Sequence, residues 1–226
     1  MYNSGDVKKQ KLSAADIMEY LIQEENVANL KGVICLSDLI INNYPDSDES
    51  SVAAEKKDAA ISAIKSAGEE ALSKMRTVYD KVVNRTWYLH KDRPEYLDTC
   101  CFIYPYFVSS EDGENLLVVE LNYTDAKTNA GWVFFDQVIF SVDGENTTKH
   151  FNYNDVQRDN DDDVYEKVIF APTSTEIELL KSIANSTETI IRFQGDKYVD
   201  HIVTDKEKAA IIDVLTAYDY FVNYSE

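Results

Sequence analysis

Up to residue 85 the apolar side chains of this chain recur at helical spacing, and from Thr86 onward they alternate at strand spacing. Ser13 with Asp16 three residues later forms a capping-box start, and Ile17, Met18, Leu21 and Ile22 make one apolar face. That pattern predicts a helix with Gly32 as its stop. Leu36 to Asn43 fits a short helix and a strand equally well, and Tyr44-Pro45-Asp46-Ser47-Asp48 breaks the element before it. From Ser51 to Asn84 the positions Ile61, Ile64, Gly68, Ala71, Met75, Val78 and Val82 follow at steps of three and four. This stripe predicts one long helix, with two uses left open: packing on the rest of the chain, or self-association as a coiled coil.

After Thr86 six apolar or aromatic runs are separated by turn signals: Thr86–His90, Cys100–Phe107, Asn115–Tyr123, Gly131–Val142, Thr147–Tyr153 and Val164–Phe170. Glu111-Asp112-Gly113-Glu114 and Asp143-Gly144-Glu145-Asn146 read as hairpin turns, and Gly131–Val142, apolar on both faces, reads as a central strand. Thr173 with Glu176 opens a helix whose inward residues are Leu180 and Ile183. Residues 187 to 222 then predict strand, turn, strand and helix. Gly195-Asp196 fits a type II′ turn with positive φ at Gly195, and Thr204 with Glu207 caps the last helix. The expected fold is α+β. A helical region (1–85), including one long helix, precedes a mainly antiparallel β-sandwich-like domain with a C-terminal helix (86–226).

A hydrophobic content of 44% in 226 residues suffices for a real core. Tyrosine (15) is common and glycine (7) scarce, which suits a β-rich domain better than a glycine-loop nucleotide enzyme. The net charge of −19 repels phosphates, so direct nucleic-acid binding is not expected. The charge serves solubility or, alternatively, an acidic decoy for a basic partner. Cys35, Cys100 and Cys101 make neither a disulfide framework nor a CxxC zinc site. No run is long enough for a transmembrane helix, and Met1–Ser13 is too polar for a signal peptide. The expected location is cytoplasmic if the chain is complete, and the cell envelope or exterior if a leader was removed.

A series of landmarks carries a resemblance: Trp87-Tyr88, Pro94-Glu95-Tyr96, Val142-Asp143-Gly144, Arg158-Asp159-Asn160, Ile183-Ala184-Asn185-Ser186, Ile191-Arg192-Phe193-Gln194-Gly195-Asp196-Lys197-Tyr198, and Lys206 to Tyr218. Over about Asn84 to Tyr218 the chain resembles the C-terminal domain of a poorly characterised group of Gram-positive bacterial and prophage proteins. Many of these are membrane-anchored or lipoprotein-like. Similar proteins often carry Tyr-Tyr and Asp-Asp after the Gly-Asp turn, where this chain has Tyr198-Val199 and Asp200-His201. The resemblance implies a fold and an origin but no activity.

Asp155, Gln157, Asp159, Asp161, Asp163 and Glu166 fall at the ligand positions of an EF-hand count. Strand-like flanks favour a solvated acidic turn over a calcium loop. His90, His150 and His201 lack paired ligand spacing; Cys100 or Cys101 with a distant His is the one thiol–imidazole option, with core packing as the alternative. Arg192 lies in an apolar run and calls for an anionic partner. Trp87, Tyr88, Tyr104, Tyr106, Trp132, Phe134 and Phe135 line either a carbohydrate or peptide groove or the sandwich core. Walker A, GxGxxG and GxSxG patterns are absent. The sequence therefore designates no catalytic, cofactor-binding or metal-ligating residue. It favours a non-catalytic binding or interaction domain of bacterial or prophage origin, with the cell envelope as its setting and a macromolecule, most plainly a protein, as partner. An acidic phage-encoded inhibitor of a basic host defence nuclease is the second reading, and a hydrolase the third.

Overall fold

The computed structural model describes residues 12–160 and 162–225. Among them are five α-helices and ten strands in two antiparallel sheets, an α+β fold. No helix among the described residues is long and apolar enough to cross a membrane. The chain divides into two compact units between Ala67 and Gly68.

In the first unit, α1 (Ala14–Asn26) begins at the Ser13/Asp16 capping box, with the Ser13 N–H donating to Asp16 Oδ2 at 2.8 Å. Its buried residues Ile17 and Leu21 meet Val33 and Ile40 of α2 (Leu30–Asn43) and Ala53 and Ala60 of α3 (Asp48–Ser73). Gly32 does not end α1. It lies in the first turn of α2, where an added Cβ would come within 2.7 Å of Glu24 Oε2, and Asn29 caps that turn through Gly32 N–H. The breaker at Tyr44 separates α2 from α3 as expected.

The long helix expected over 51–84 stops at Ser73. Met75 to Asp80 forms β1 and pairs antiparallel with β2 (Arg85–His90), Val78 opposite Trp87. Thr77, Val78 and Tyr79 suit a pleated surface, and a strand partner lies just downstream. The turn between them is built by Asp80 Oδ1, which accepts from Val82 N–H at 2.7 Å, and by Asn84 at φ +50°. The heptad-like stripe is thereby divided between α3, β1 and the turn after it. Gly68 packs so tightly on Tyr220 that a Cβ would sit 2.2 Å away, Ala71 and Met75 join Val214 and Ala217, and Val82 is 91% exposed in the turn.

The larger sheet runs in the order β1, β2, β3 (Phe102–Ser110), β4 (Asn115–Thr124), β8 (Val164–Phe170) and β7 (Val156–Asn160). The smaller sheet runs β10 (Tyr198–Ile202), β9 (Thr189–Gln194), β5 (Gln137–Val142), β6 (Glu145–His150). β5 (Gln137–Val142) is central there, between β6 (Glu145–His150) and β9 (Thr189–Gln194). The central strand expected over 131–142 thus begins only at Gln137. Upstream, Glu166 replaces the ladder: its buried carboxylate accepts from the N–H groups of Val133, Phe134 and Phe135 at 2.7, 2.7 and 2.9 Å. Glu166 lies on β8 (Val164–Phe170), and Arg158 of β7 (Val156–Asn160) pairs with it at 3.2 Å. A single 3-10 turn (Tyr153–Asp155) precedes β7. All six residues of β6, exposed or half-exposed, carry polar side chains: Glu145, Asn146, Thr147, Thr148, Lys149 and His150 lie along the free edge of the smaller sheet.

The inner faces of the two sheets share one core. Ile103, Val119 and Leu121 meet Val138, Phe140, Ile191 and Phe193, and Leu180 and Ile183 of α4 (Ser174–Asn185) close it. The Thr173/Glu176 box caps α4 as predicted. β10 (Tyr198–Ile202) returns antiparallel to β9, and α5 (Asp205–Asn223) starts at the Thr204/Glu207 box. Gly195 departs from the expected type II′ turn. Gln194 pairs with Tyr198 across three loop residues, and Gly195 is not among the positive-φ glycines. Glycine is required there by close approach instead, since a Cβ would lie 2.2 Å from the Phe134 carbonyl oxygen.

Candidate functional site

The larger sheet has two unlike faces. Tyr88, Phe107 and Leu117 point to α5, which covers that side through Val214, Ala217 and Phe221. Alternation sends their neighbours to the other side, and the strand register sets them in rows: Trp87 opposite Val108 opposite Leu116, and Leu89 opposite Tyr106 opposite Val118. All of these but Leu89, together with Arg85, Ile169 and Phe170, line a groove of about 670 Å³. Tyr106, Val108 and Val118 form its buried floor, while Leu116 (50% exposed) and Ile169 (41%) stand open at its side. One end of this face is covered by the segment after β2: Arg93 reaches Glu120, the neighbour of Tyr104, in a buried bidentate pair at 2.6 to 2.9 Å.

Two donors of the groove are unspent, while Ser110 Oγ is bonded to the Glu114 backbone. Neither the Tyr106 hydroxyl nor the Trp87 indole N–H has a hydrogen-bond partner among the described residues, although Tyr106 is only 8% exposed. Burial pushes the Tyr106 phenol up to about 12, with Glu120 adding to the rise, so it stays a protonated donor. Asn115 at the rim also keeps an unpartnered Oδ1. Of these groups Asn115 Oδ1 is buried without a partner, whereas the Tyr106 hydroxyl and the Trp87 N–H are not fully buried and remain open to water or to a ligand.

A second cavity, of about 350 Å³, brings together residues that the sequence leaves far apart: Cys100, Cys101, Tyr104, His201 and Glu207. His201 Nε2 lies 2.8 Å from Glu207 Oε1, which also accepts from Ile103 N–H; the other oxygen, Oε2, is held by the Thr204 N–H and hydroxyl. Burial pushes the Glu207 carboxyl up, but the bonds from His201, Thr204 and Ile103 outweigh it and hold it below its usual range. The ionised carboxylate therefore fixes the imidazole with its proton on Nε2. At Cys101 the thiolate form is disfavoured. Its burial raises the thiol to about 11, and its sulfur sits 3.5 Å from both the N–H and the carbonyl of Thr124. The thiol–imidazole option thus narrows to Cys100 and His201 as walls of one cavity. The structural work of the Glu207 cap, tying β3, β10 and α5 together, is complete without it.

The other sequence candidates are placed as follows. His90 accepts from Asp92 N–H at Nδ1 and faces Asp213 at Nε2, which makes it a buried structural group, and His150 lies exposed at the end of β6. Arg192 has the anionic partner it calls for: Asp200 binds it through two 2.7 Å contacts, with the guanidinium 4.2 Å over the Tyr198 ring. Of the EF-hand positions, Glu166 is buried and committed to backbone, Asp155 accepts from Asn152, and the segment is the β7–β8 hairpin. Asp161 lies outside the described residues. No group of three or more potential metal ligands occurs among the described residues. The aromatic set divides. Trp87 and Tyr106 belong to the groove, Tyr104 to the second cavity, Tyr88 and Phe135 to cores, and Trp132 stacks on Phe134 with ring centroids 5.7 Å apart. Sequence reasoning named two groove aromatics but missed Leu116, Val118 and Ile169; two-residue alternation across β3 and β4 is the signal that would have found them. Compared with known proteins, the chain matches no family model, no curated protein and no solved structure.

Proposed function

We propose that this protein is a non-catalytic binding module that engages a macromolecule through the open face of its larger sheet. The observation that carries the reading is the groove with its aromatic wall, apolar floor and unpartnered donors. Its origin in a Gram-positive bacterium or prophage, and its action at the cell envelope, belong to the same proposal and rest on the sequence resemblance.

The second reading, an acidic phage-encoded inhibitor of a basic host defence nuclease, is favoured by one observation, the net charge of −19. The two differ in salt dependence. Steering by long-range charge weakens as salt shortens the Debye length from about 10 Å at 0.1 M toward about 3 Å at 1 M, whereas contacts in an apolar groove persist.

The test immobilises the full chain and its Leu116→Arg variant against separated envelope and cytoplasmic fractions at low and high salt. Salt-resistant capture of an envelope component, abolished by Leu116→Arg, is the expected result. Salt-labile capture of a nuclease that survives Leu116→Arg overturns it in favour of the inhibitor. Steady turnover of glycan, peptide, ester or nucleic-acid substrates by the purified protein overturns both.

A further inference from the structure

We infer that the free edge of the larger sheet at β1 pairs with β1 of a second copy of this chain, antiparallel and centred on Val78, closing a two-fold dimer. This goes beyond the binding reading above and does not depend on it. Among the described residues β1 pairs with β2 alone, so its other side carries an unused row of backbone groups. The ladder tells which groups these are. Lys91 N–H donates to the Lys74 carbonyl at 3.1 Å, which makes these two a hydrogen-bonded pair continuing the β1–β2 register. Antiparallel bonding alternates along a strand. Arg76, Val78 and Asp80 therefore bond toward β2, and Thr77 and Tyr79 turn their N–H and C=O groups outward.

The β1 edge lacks the defence that two other edges have. β6 is polar throughout, and β7, at the far side of the larger sheet, carries Gln157, Arg158, Asp159 and Asn160. On β1, by contrast, Val78 is 46% exposed, and Tyr79, Val82 and Val83 of the same hairpin are exposed with it. The charges of β1 flank Val78 on its own face of the strand, Arg76 on one side and Asp80 on the other. Arg76 has no ion-pair partner among the described residues, although the chain holds 41 acidic residues. Asp80 spends Oδ1 on the turn, through Val82 N–H, and leaves Oδ2 without a partner among the described residues.

This charge pattern is complementary to itself, and it selects the occupant and the register together. Centred on Val78, the pairing sets Arg76 opposite Asp80 of the second copy, and Asp80 opposite Arg76 of that copy. Thr77 then exchanges both of its outward backbone bonds with Tyr79 across the two-fold axis. Centring the pair on Thr77 or on Tyr79 would set Arg76 opposite Val78 or Val82 and lose the match. The pairing uses up the β1 edge of each copy, so the assembly closes at two chains. Antiparallel neighbours share their faces. Val78 opposite Trp87 in one copy therefore continues into Val78 opposite Trp87 in the other, and the two open faces lie side by side.

The experiment is sedimentation equilibrium of the full chain from about 1 µM to about 1 mM, the span over which weak specific pairs associate. The expected result is a weight-average mass that rises from one chain to two and stops there. Arg76→Glu, which sets like charges opposite each other, should raise the dissociation constant about tenfold or more. Thr77→Pro removes an outward N–H that the β1–β2 ladder does not use, and should leave single chains. Melting temperature in dilute solution checks that the proline variant folds, and Arg76→Glu decides alone if it does not. Register is read separately. Opposed Val78 residues form a non-hydrogen-bonded pair with Cα atoms about 4.5 Å apart, within reach of a disulfide. In a Cys35→Ser background, Val78→Cys should crosslink into dimers on mild oxidation, and Val82→Cys, out in the turn, should not. A chain that stays single up to about 1 mM overturns the inference. So does a mass that climbs past two chains, a dimer indifferent to Arg76→Glu and Thr77→Pro, or a Val78→Cys chain that fails to crosslink. None of these outcomes touches the binding reading, which capture sensitive to Leu116→Arg reports by itself.

Discussion

Gly195 and Glu207 show how single residues here act through what they approach. Valine or alanine at position 195 would drive a Cβ into the Phe134 carbonyl, 2.2 Å away, so the strand pair must move off the 131–136 segment. Gly195→Ala should destabilise by about 1–3 kcal/mol, read as a lowered denaturation midpoint. Because the backbone there is not left-handed, Gly195→Asn, which tolerates positive φ, should give no relief. Glu207 makes the fold sensitive to acid. Its folded-state pKa lies below the ordinary 4.5, so its contribution is complete above that value and is lost as pH falls through the depressed one. Melting temperature should fall less steeply below about pH 4.5 in Glu207→Gln than in the unmodified chain. At the thiols, Cys101 should resist iodoacetamide at pH 7 while exposed Cys35 reacts, as peptide mapping would report.

At the scale of elements, the segment 131–136 has no ladder of its own, and one carboxylate holds three of its successive N–H groups. Glu166→Ala would orphan three backbone N–H groups and leave the Arg158 guanidinium, 10% exposed, without its partner. A loss of about 3–5 kcal/mol is expected by chemical denaturation, larger than for any surface carboxylate. The same segment explains what the sequence hid. Trp132 to Phe135 looks like a buried strand because its residues are apolar, yet Phe134 takes φ +52° and turns out of the pleat. The partner that permits this, Glu166, lies about thirty residues away and reads locally as one more acid in an acidic turn. Capping boxes at Ser13, Thr173 and Thr204 were legible because both partners sit within one turn. The end of α3 was not. Met75 and Val78 fit the helical step of three yet lie on opposite faces of a strand, and it is pairing with His90 and Trp87 that makes the segment a strand.

For the whole molecule, the α+β class and the antiparallel pairing followed from the change of period near Thr86, while the groove did not. Its floor is assembled from β2, β3 and β4 at positions that, taken singly, look like any core residue, and only register shows that they share a face α5 does not cover. The gathering of Cys100 and His201 is likewise a product of topology, since nothing in a linear chain ties residue 100 to residue 201. One last feature bears on how the molecule behaves in a crowd. β6 ends the smaller sheet with a free row of N–H and C=O groups, the usual template for one chain to stack on the next. Every side chain along that row is polar, with Glu145 and Lys149 among them. A neighbouring strand docking there would have to strip water from charges and gain no apolar contact in return. This border is therefore closed to runaway polymerisation while the open face of the larger sheet stays available, and concentrated samples should stay free of thioflavin-binding fibrils until Lys149 and Glu145 are both replaced by valine.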